Sequence, residues 1–421
     1  MLSQLAKTVV LGSVLGALCL PMQANTTALG AAAPGAAAPD VATPEVVDVR
    51  AAAVPSAVDA GTTIVRSELA PLPAGDTAAA PGTVRVALLL PLRSDTLRSA
   101  AEAVRAGVQA AYEREQDGIV ISVVETGDAP QDILNDYKSA VTQHDIVVGP
   151  LSRTAVAAVA QSGAVGKPTI ALTAPEGSAD LKLPQRMLVM GLSIEEEARQ
   201  VADWARRDHP AAKAVVLLTK AAWQRRAAKA FEMQWQQRGL QVETIELLTN
   251  DGFLNGRELL QLKKQLQSET PVVLFAALDA RQARQVRAIL GKGVSLYGTS
   301  QLNPIALSDR LTAERMAEMD GTRLSDIPWQ LQEDHPAVMV YPRQAVNADQ
   351  QRSADLERLY ALGIDAYRVA RAIAAQQTSF ELDGVTGRLS VRFGSAQPRF
   401  ERTIQRAVYR DGGVVSAARA P

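Results

Sequence analysis

The sequence has a single cysteine, Cys19, and only three histidines, His144, His209 and His335, in 421 residues. Downstream of Cys19 this excludes disulfides, thiol nucleophiles and thiolate metal sites. The three histidines show no metal-ligand spacing. Aromatic residues are scarce at 4 %. Neither sign of charge dominates, with 44 Lys and Arg against 45 Asp and Glu. No basic block stands out, so nothing encodes a nucleic-acid surface. No apolar run is long enough to cross a bilayer as a stable helix. A G-x-S-x-G elbow, a Walker loop and a G-x-G-x-x-G turn after a strand are all missing. No catalytic apparatus is legible, and no cofactor is called for.

What is present begins with residues 1–24, which read as a signal peptide. Lys7 supplies the positive region, Val9 to Leu20 the apolar stretch, Pro21 the break and Met22-Gln23-Ala24 the cleavage site. Cleavage after Ala24 removes Lys7 and lowers the formal net charge of −1 by one unit. A second reading makes Cys19 a lipidation site. Lipid attachment usually has Gly, Ala or Ser just before the cysteine, and Leu18 stands there, which favours ordinary cleavage.

Residues 25–83 contain no Phe, Trp or Tyr and include the run Ala31-Ala32-Ala33-Pro34-Gly35-Ala36-Ala37-Ala38-Pro39. Such a segment buries too little apolar surface to offset its ordering entropy, so a disordered linker is expected. As a flexible coil it would reach roughly 40–45 Å. It serves either as a spacer from an anchor or as a dispensable leader.

From Val84 the pattern changes. Val84 to Leu90 is a short apolar run, as in a strand buried on both faces. Ser94-Asp95-Thr96 offers helix caps. Leu97, Ala100, Ala101, Val104, Val108 and Ala111 then recur at helical spacing. Strand-like runs follow at 119–125, 145–149, 168–173 and 187–191, with helical patterns at 131–143, 152–165 and 195–207. A second block opens at Ala214 to Thr219, with strands at 241–247, 271–277 and 295–297 and helices at 221–238, 256–267 and 281–290. A long amphipathic helix spans 354–376, and strand-like pieces follow around 389–393 and 407–409. Alternation of this kind predicts an α/β protein with parallel sheets and right-handed crossovers.

Two further segments carry a family likeness. Leu362-Gly363-Ile364-Asp365-Ala366-Tyr367 resembles the late helix of type I periplasmic binding proteins, and Gly384-Val385-Thr386-Gly387 resembles the turn before their last strands. The implied fold is two doubly wound parallel-sheet lobes joined by a hinge, with residues 84–192 and 328–378 in one lobe and 193–327 and 379–415 in the other. Within that fold the chain is similar to the LppC family of penicillin-binding-protein activators. The matching segments are Val148-Gly149-Pro150-Leu151-Ser152, Tyr297-Gly298-Thr299-Ser300-Gln301, Asp326-Ile327-Pro328-Trp329 and Gly384 to Leu389. The likeness implies a non-catalytic periplasmic regulator that binds a class A penicillin-binding protein and activates peptidoglycan synthesis. Outer-membrane anchoring follows if Cys19 carries lipid.

Ligands in open α/β sheets bind beyond the carboxyl ends of the strands. That rule selects the loops at 92–96, 150–154, 173–178, 220–223, 278–279 and 299–303. The candidate cleft residues are Ser94, Ser152, Thr154, Thr173, Trp223, Asp279, Gln301 and Asp365. Each has a plainer alternative. Ser152 and Thr154 stand at a helix start, where capping is the usual role. Thr173 equally fits the end of its strand. Trp223 shares a helix with Phe231 and Trp235 at core-like spacing. Asp279 fits a helix cap, and Asp365 fits a hinge support. Gly191, Pro328 and Trp329 are the hinge candidates. Glu195-Glu196-Glu197 reads as an acidic helix start rather than an acid/base pair. The alternative function is a solute receptor for an amino acid or similar small polar ligand, but no arginine partner for a ligand carboxylate is apparent in these loops.

Overall fold

Alternating side chains of the first strand already dictate a sheet covered on both faces. The computed structural model describes residues 82–116, 118–177, 181–268, 271–304, 315–343, 353–394 and 397–417. The leader, Cys19 and the Ala/Pro segment through residue 81 lie outside these ranges, as does Ser178. Within them the chain runs β1 (Val84–Leu90), α1 (Arg98–Arg114), β2 (Ile119–Glu125), α2 (Pro130–Gln143), β3 (Ile146–Val148), α3 (Arg153–Gln161), β4 (Thr169–Ala171) and β5 (Met187–Val189). These strands form a parallel sheet in the order β2-β1-β3-β4-β5. Val86, Leu88 and Leu90 enter the core on one side. Ala87 and Leu89 enter the core on the other. Both faces are therefore dry, as the continuous apolar run of β1 requires.

The second block repeats the design. It comprises α4 (Ile194–Asp208), β6 (Lys213–Leu218), α5 (Ala222–Gln236), β7 (Val242–Glu246), the short pair β8 (Thr249–Asn250) and β9 (Phe253–Leu254), α6 (Gly256–Ser268), β10 (Val272–Ala276), α7 (Ala280–Leu290), β11 (Ser295–Gly298) and β12 (Arg323–Asp326). After it come α8 (Pro328–Leu331), α9 (Ala354–Ala374), β13 (Ser379–Gly384), β14 (Gly387–Arg392), β15 (Arg399–Thr403), β16 (Gln405–Arg410) and β17 (Gly413–Ser416). The second sheet has the order β17-β16-β12-β11-β10-β6-β7, parallel from β12 to β7 and antiparallel in its last two strands. Val215 and Leu217 face one core. Ala214, Val216 and Leu218 face the other, which also holds the stacked rings of Phe231, Trp235 and Phe275. Burying each such large side chain contributes about 1.5–3 kcal/mol. The doubly wound α/β architecture expected from the sequence is thus the one found.

Packing assigns α9 to the first sheet. Its Leu362, Ile364, Tyr367 and Val369 join the core of β1 and α1. The approach is close because both helices present glycine. A Cβ on Gly107 would lie 1.9 Å from the Tyr360 carbonyl oxygen, and one on Gly363 would lie 2.2 Å from that of Val104.

The expectation that residues 379–415 belong together in the second lobe meets a different packing. β13, β14 and β15 form their own three-stranded sheet. Its Val385, Leu389 and Val391 sink into the core of the first sheet. Only β16 and β17 extend the second sheet. Several boundaries also differ from the sequence reading. The expected helix over 152–165 stops at Gln161, because Gly163 takes φ +68, where the helix cannot continue. The expected helix over 354–376 stops at Ala374, just before Gln376 at φ 60.

Candidate functional site

The chain passes between the two sheets at three places: Met190–Ser193 after β5, Ile327 between β12 and α8, and Ile404 between β15 and β16. Residues from all three line one cavity of about 250 Å³, among them Gly191, Ile327 and Ile404. Two polar networks fix the crossings, and both depend on arginines that the sequence reading did not single out.

The first network joins α9 to the carboxyl ends of the second sheet's strands. Arg358 donates from Nε to Asp326 Oδ1 at 3.1 Å and from Nη2 to Asp326 Oδ2 at 2.8 Å. It also donates to the Ser300 carbonyl at 3.1 Å and to Asp355 at 3.0 Å. Asp326 is fully buried and Arg358 nearly so. Asn303 Nδ2 and the Ile327 N–H complete the shell of Asp326, each at 2.8 Å. Burial by itself pushes the Arg358 pKa down, but the adjacent Asp326 charge and its hydrogen bonds outweigh that and hold it above its ordinary value. The guanidinium is therefore a permanent cation.

Glu197 stands on the edge of this network. It projects inward from α4, is 8 % exposed, and accepts from the Ser300 N–H at 2.9 Å. Burial and the nearby Asp326 charge push its pKa up to about 7, against the opposing pull of the Ser300 hydrogen bonds and Arg358. The triple-glutamate run does begin α4, capped by the Ser193 hydroxyl on the Glu196 N–H. Its third member nonetheless turns away from solvent, which the dipole argument alone did not foresee.

The second network ties α9 to the β13–β14 turn and to the first crossing. Asp365 accepts from the N–H groups of Val385 and Thr386 at 3.1 and 2.8 Å and from the Thr386 hydroxyl at 2.6 Å. Arg402 then donates to Thr386 Oγ1 at 3.0 Å and to the carbonyls of Gly191 and Met190, both at 2.8 Å. Burial lowers the Arg402 pKa to about 10. Gln200 of α4 grips the third crossing through the Arg402 carbonyl and the Ile404 N–H.

The sequence-derived candidates fall in several places. Ser94 is buried and accepts from the Leu97 N–H at 3.0 Å. Ser152 caps α3 through the Ala155 N–H, with Thr154 Oγ1 3.4 Å from its hydroxyl. Asp279 caps α7 in a reciprocal box with Gln282. Thr173 is half-buried beside Gly191, whose Cβ, were there one, would lie 2.5 Å from the Thr173 Cα. Trp223 is half-buried in the first turn of α5, and Gln301 is half-buried in the 3-10 turn Ser300–Leu302. Asp365 does not face a cleft; the turn at Val385 and Thr386 occupies its carboxylate. Pro328 and Trp329 open α8 at the second crossing. Trp329 is buried, its backbone N–H donates to the Val385 carbonyl, and the Arg343 guanidinium lies 4.2 Å from its ring centroid. Gly191 contacts the first crossing's partner, Arg402. Missed by sequence reasoning were Glu197, Arg358 and Arg402. No local signal marks them, because their partners are distant in the chain.

Among the described residues, the buried hydroxyls of Thr299 and Ser325 and the Trp329 indole nitrogen find no hydrogen-bond partner. No group of His, Cys, Asp and Glu there could hold a metal ion, and no helix there is long and apolar enough to cross a membrane.

Comparison with known proteins agrees with this architecture. The family model described as "LppC putative lipoprotein" matches residues 80–412. A penicillin-binding protein activator LpoA from Haemophilus ducreyi is 27 % identical over 337 residues, covering 78 % of this chain and 54 % of that protein. The chain thus spans about half the length of the curated relatives it matches. Among solved structures, a "putative branched-chain amino acid ABC transporter" from Chromobacterium violaceum superposes with a TM-score of 0.62 at 32 % identity, covering 77 % of this chain and all of that one. The carboxy-terminal domain of LpoA from Haemophilus influenzae, described as a regulator of PBP1A, gives a TM-score of 0.62 at 21 % identity, covering 79 % of this chain and all of that domain.

Proposed function

This chain belongs to the LppC family, and on that basis we propose that it is a non-catalytic periplasmic regulator that binds and activates a class A penicillin-binding protein. The carrying observation is the family match across nearly the whole described body, shared with relatives named as activators. The loops support the same reading. A receptor for an amino acid needs free hydroxyls and charges facing a cleft, yet Ser152 and Asp279 are engaged as helix caps and Ser94 accepts from the Leu97 N–H. Residues 1–24 would export the chain, and lipid on Cys19 would hold it at the outer membrane. The test is reconstituted peptidoglycan synthesis by a purified class A penicillin-binding protein, with and without this protein. The cross-linked fraction should rise and the two proteins should co-purify. Unchanged cross-linking together with no complex would overturn the proposal.

A second reading rests on the Chromobacterium violaceum structure, whose description as a branched-chain amino acid transporter favours a solute receptor. A free amino acid at about a hundred times its dissociation constant would then stabilise the protein by ~2.7 kcal/mol. A melting panel across amino acids and peptidoglycan fragments separates the two readings.

A further inference from the structure

The cavity of about 250 Å³ at the three crossings has an apolar body and an unbalanced charge. Val189, Leu192, Ile327, Phe400 and Ile404 supply the apolar wall. The charged groups around it are Glu196, Glu197 and Arg199 of α4 and Glu401 and Arg402 of β15, with Asp326 and Arg358 behind Glu197. Arg199 is committed to Glu196, reaching Oε2 from both Nε and Nη2. Arg402 is committed to two backbone carbonyls and Thr386. Arg358 gives its hydrogen bonds to Asp326, Asp355 and Ser300, and sends none to Glu197. Neither Glu197, within the cavity wall, nor Glu401, at the exposed rim, has an ion pair among the described residues, and Arg358 and Arg402 act on Glu197 without a hydrogen bond to it. A buried carboxylate facing a cavity is costly unless a cation or proton neutralises it.

We propose that this crossing cavity is a binding site for a small organic cation, a primary ammonium group on a compact apolar body, with Glu197 as the counter-ion and Glu401 guarding the entrance. The volume holds several heavy atoms, and the apolar wall suits a branched alkyl chain. Occupancy would bridge residues from all three crossings, so the ligand would bind the two sheets together. Protons compete for the same carboxylate: Glu197, with a pKa of about 7, is mostly ionised at pH 8 and mostly neutral at pH 6.

The test is calorimetric titration of the intact protein with isobutylammonium chloride, with sodium chloride and sodium isovalerate as controls. Isobutylammonium should bind at pH 8 and about tenfold more weakly at pH 6, in proportion to the ionised fraction. Isovalerate should not bind. Glu197→Gln should abolish binding, and Ala174→Leu, which fills the cavity while keeping the carboxylate, should do the same. Thermal melts confirm that each variant is folded. Any of three results overturns the site: no heat with isobutylammonium at pH 8, equal affinity at both pH values, or full binding by either folded variant. Leucine binding without isobutylammonium binding also overturns it and supports the receptor reading. The titration needs no partner, so its failure leaves the activator reading untouched.

Discussion

Replacing Arg358 by methionine tests whether one guanidinium locks α9 to the second sheet. Methionine keeps most of the stem and removes the charge. Of the hydrogen bonds lost, the one to Asp355 matters little, because that carboxylate is 71 % exposed. The loss that counts is at Asp326, which has 0 % side-chain exposure and keeps only Asn303 and the Ile327 N–H as donors. The Ser300 carbonyl loses one of its two donors and keeps the Asn303 N–H. Breaking a buried pair from one side costs about 3–5 kcal/mol, and the two remaining donors at Asp326 place the expected value near the lower end. Urea denaturation reads it directly as a fall in midpoint. The double variant Arg358→Met with Asp326→Leu removes both members of the pair and should recover most of the loss, since neither is then left buried without the other. A single-variant loss below about 1 kcal/mol refutes the reasoning, as does a double variant no more stable than the single one.

Three further outcomes are expected. The Glu197 pKa is raised in the folded state, so the native protein holds a proton there that the unfolded chain releases; stability should fall as pH rises from about 4.5 to about 7, by about 3 kcal/mol. Glu197→Gln should flatten that slope and raise the melting temperature at pH 8, as differential scanning calorimetry would show. Gly363→Ala should cost about 1–3 kcal/mol, because its Cβ collides with the Val104 carbonyl of α1; an unchanged urea midpoint would deny the close helix contact. Asp365→Ala should cost about 3 kcal/mol or more by stranding the donors at Val385 and Thr386, and hydrogen exchange at those two amides should accelerate.

The alternating elements of both blocks were legible because each strand buried on two faces is an apolar run and each helix shows a clear stripe. Strands with mixed faces were harder. β15 reads Arg-Phe-Glu-Arg-Thr, and its only buried member is an arginine, so no hydrophobic signal exists. β12 is four residues long and ends on a buried aspartate, which looks polar until Arg358 is placed beside it. Turn chemistry was readable at Asp279 and Ser152, since capping is a local rule. The decisive side chains at the crossings were not. Arg402 meets Gly191 across 211 residues and Arg358 meets Asp326 across 32, and no periodicity encodes such pairs. The cavity is equally invisible in one dimension, because its lining comes from four separate stretches of chain.

The strand order of the second sheet bears on how an emerging chain can fold. The strands of the first sheet all lie within residues 84–189 and can pair early, although α9 and the β13–β14 segment arrive later to cover one face. The second must wait, because β16 seals the flank of β12 and arrives some eighty residues later. Until then Arg323–Asp326 offers a bare edge to any passing strand, a recognised route to misassembly. A chain cut before residue 405 would keep that edge open permanently and should clump rather than yield a tidy half-protein.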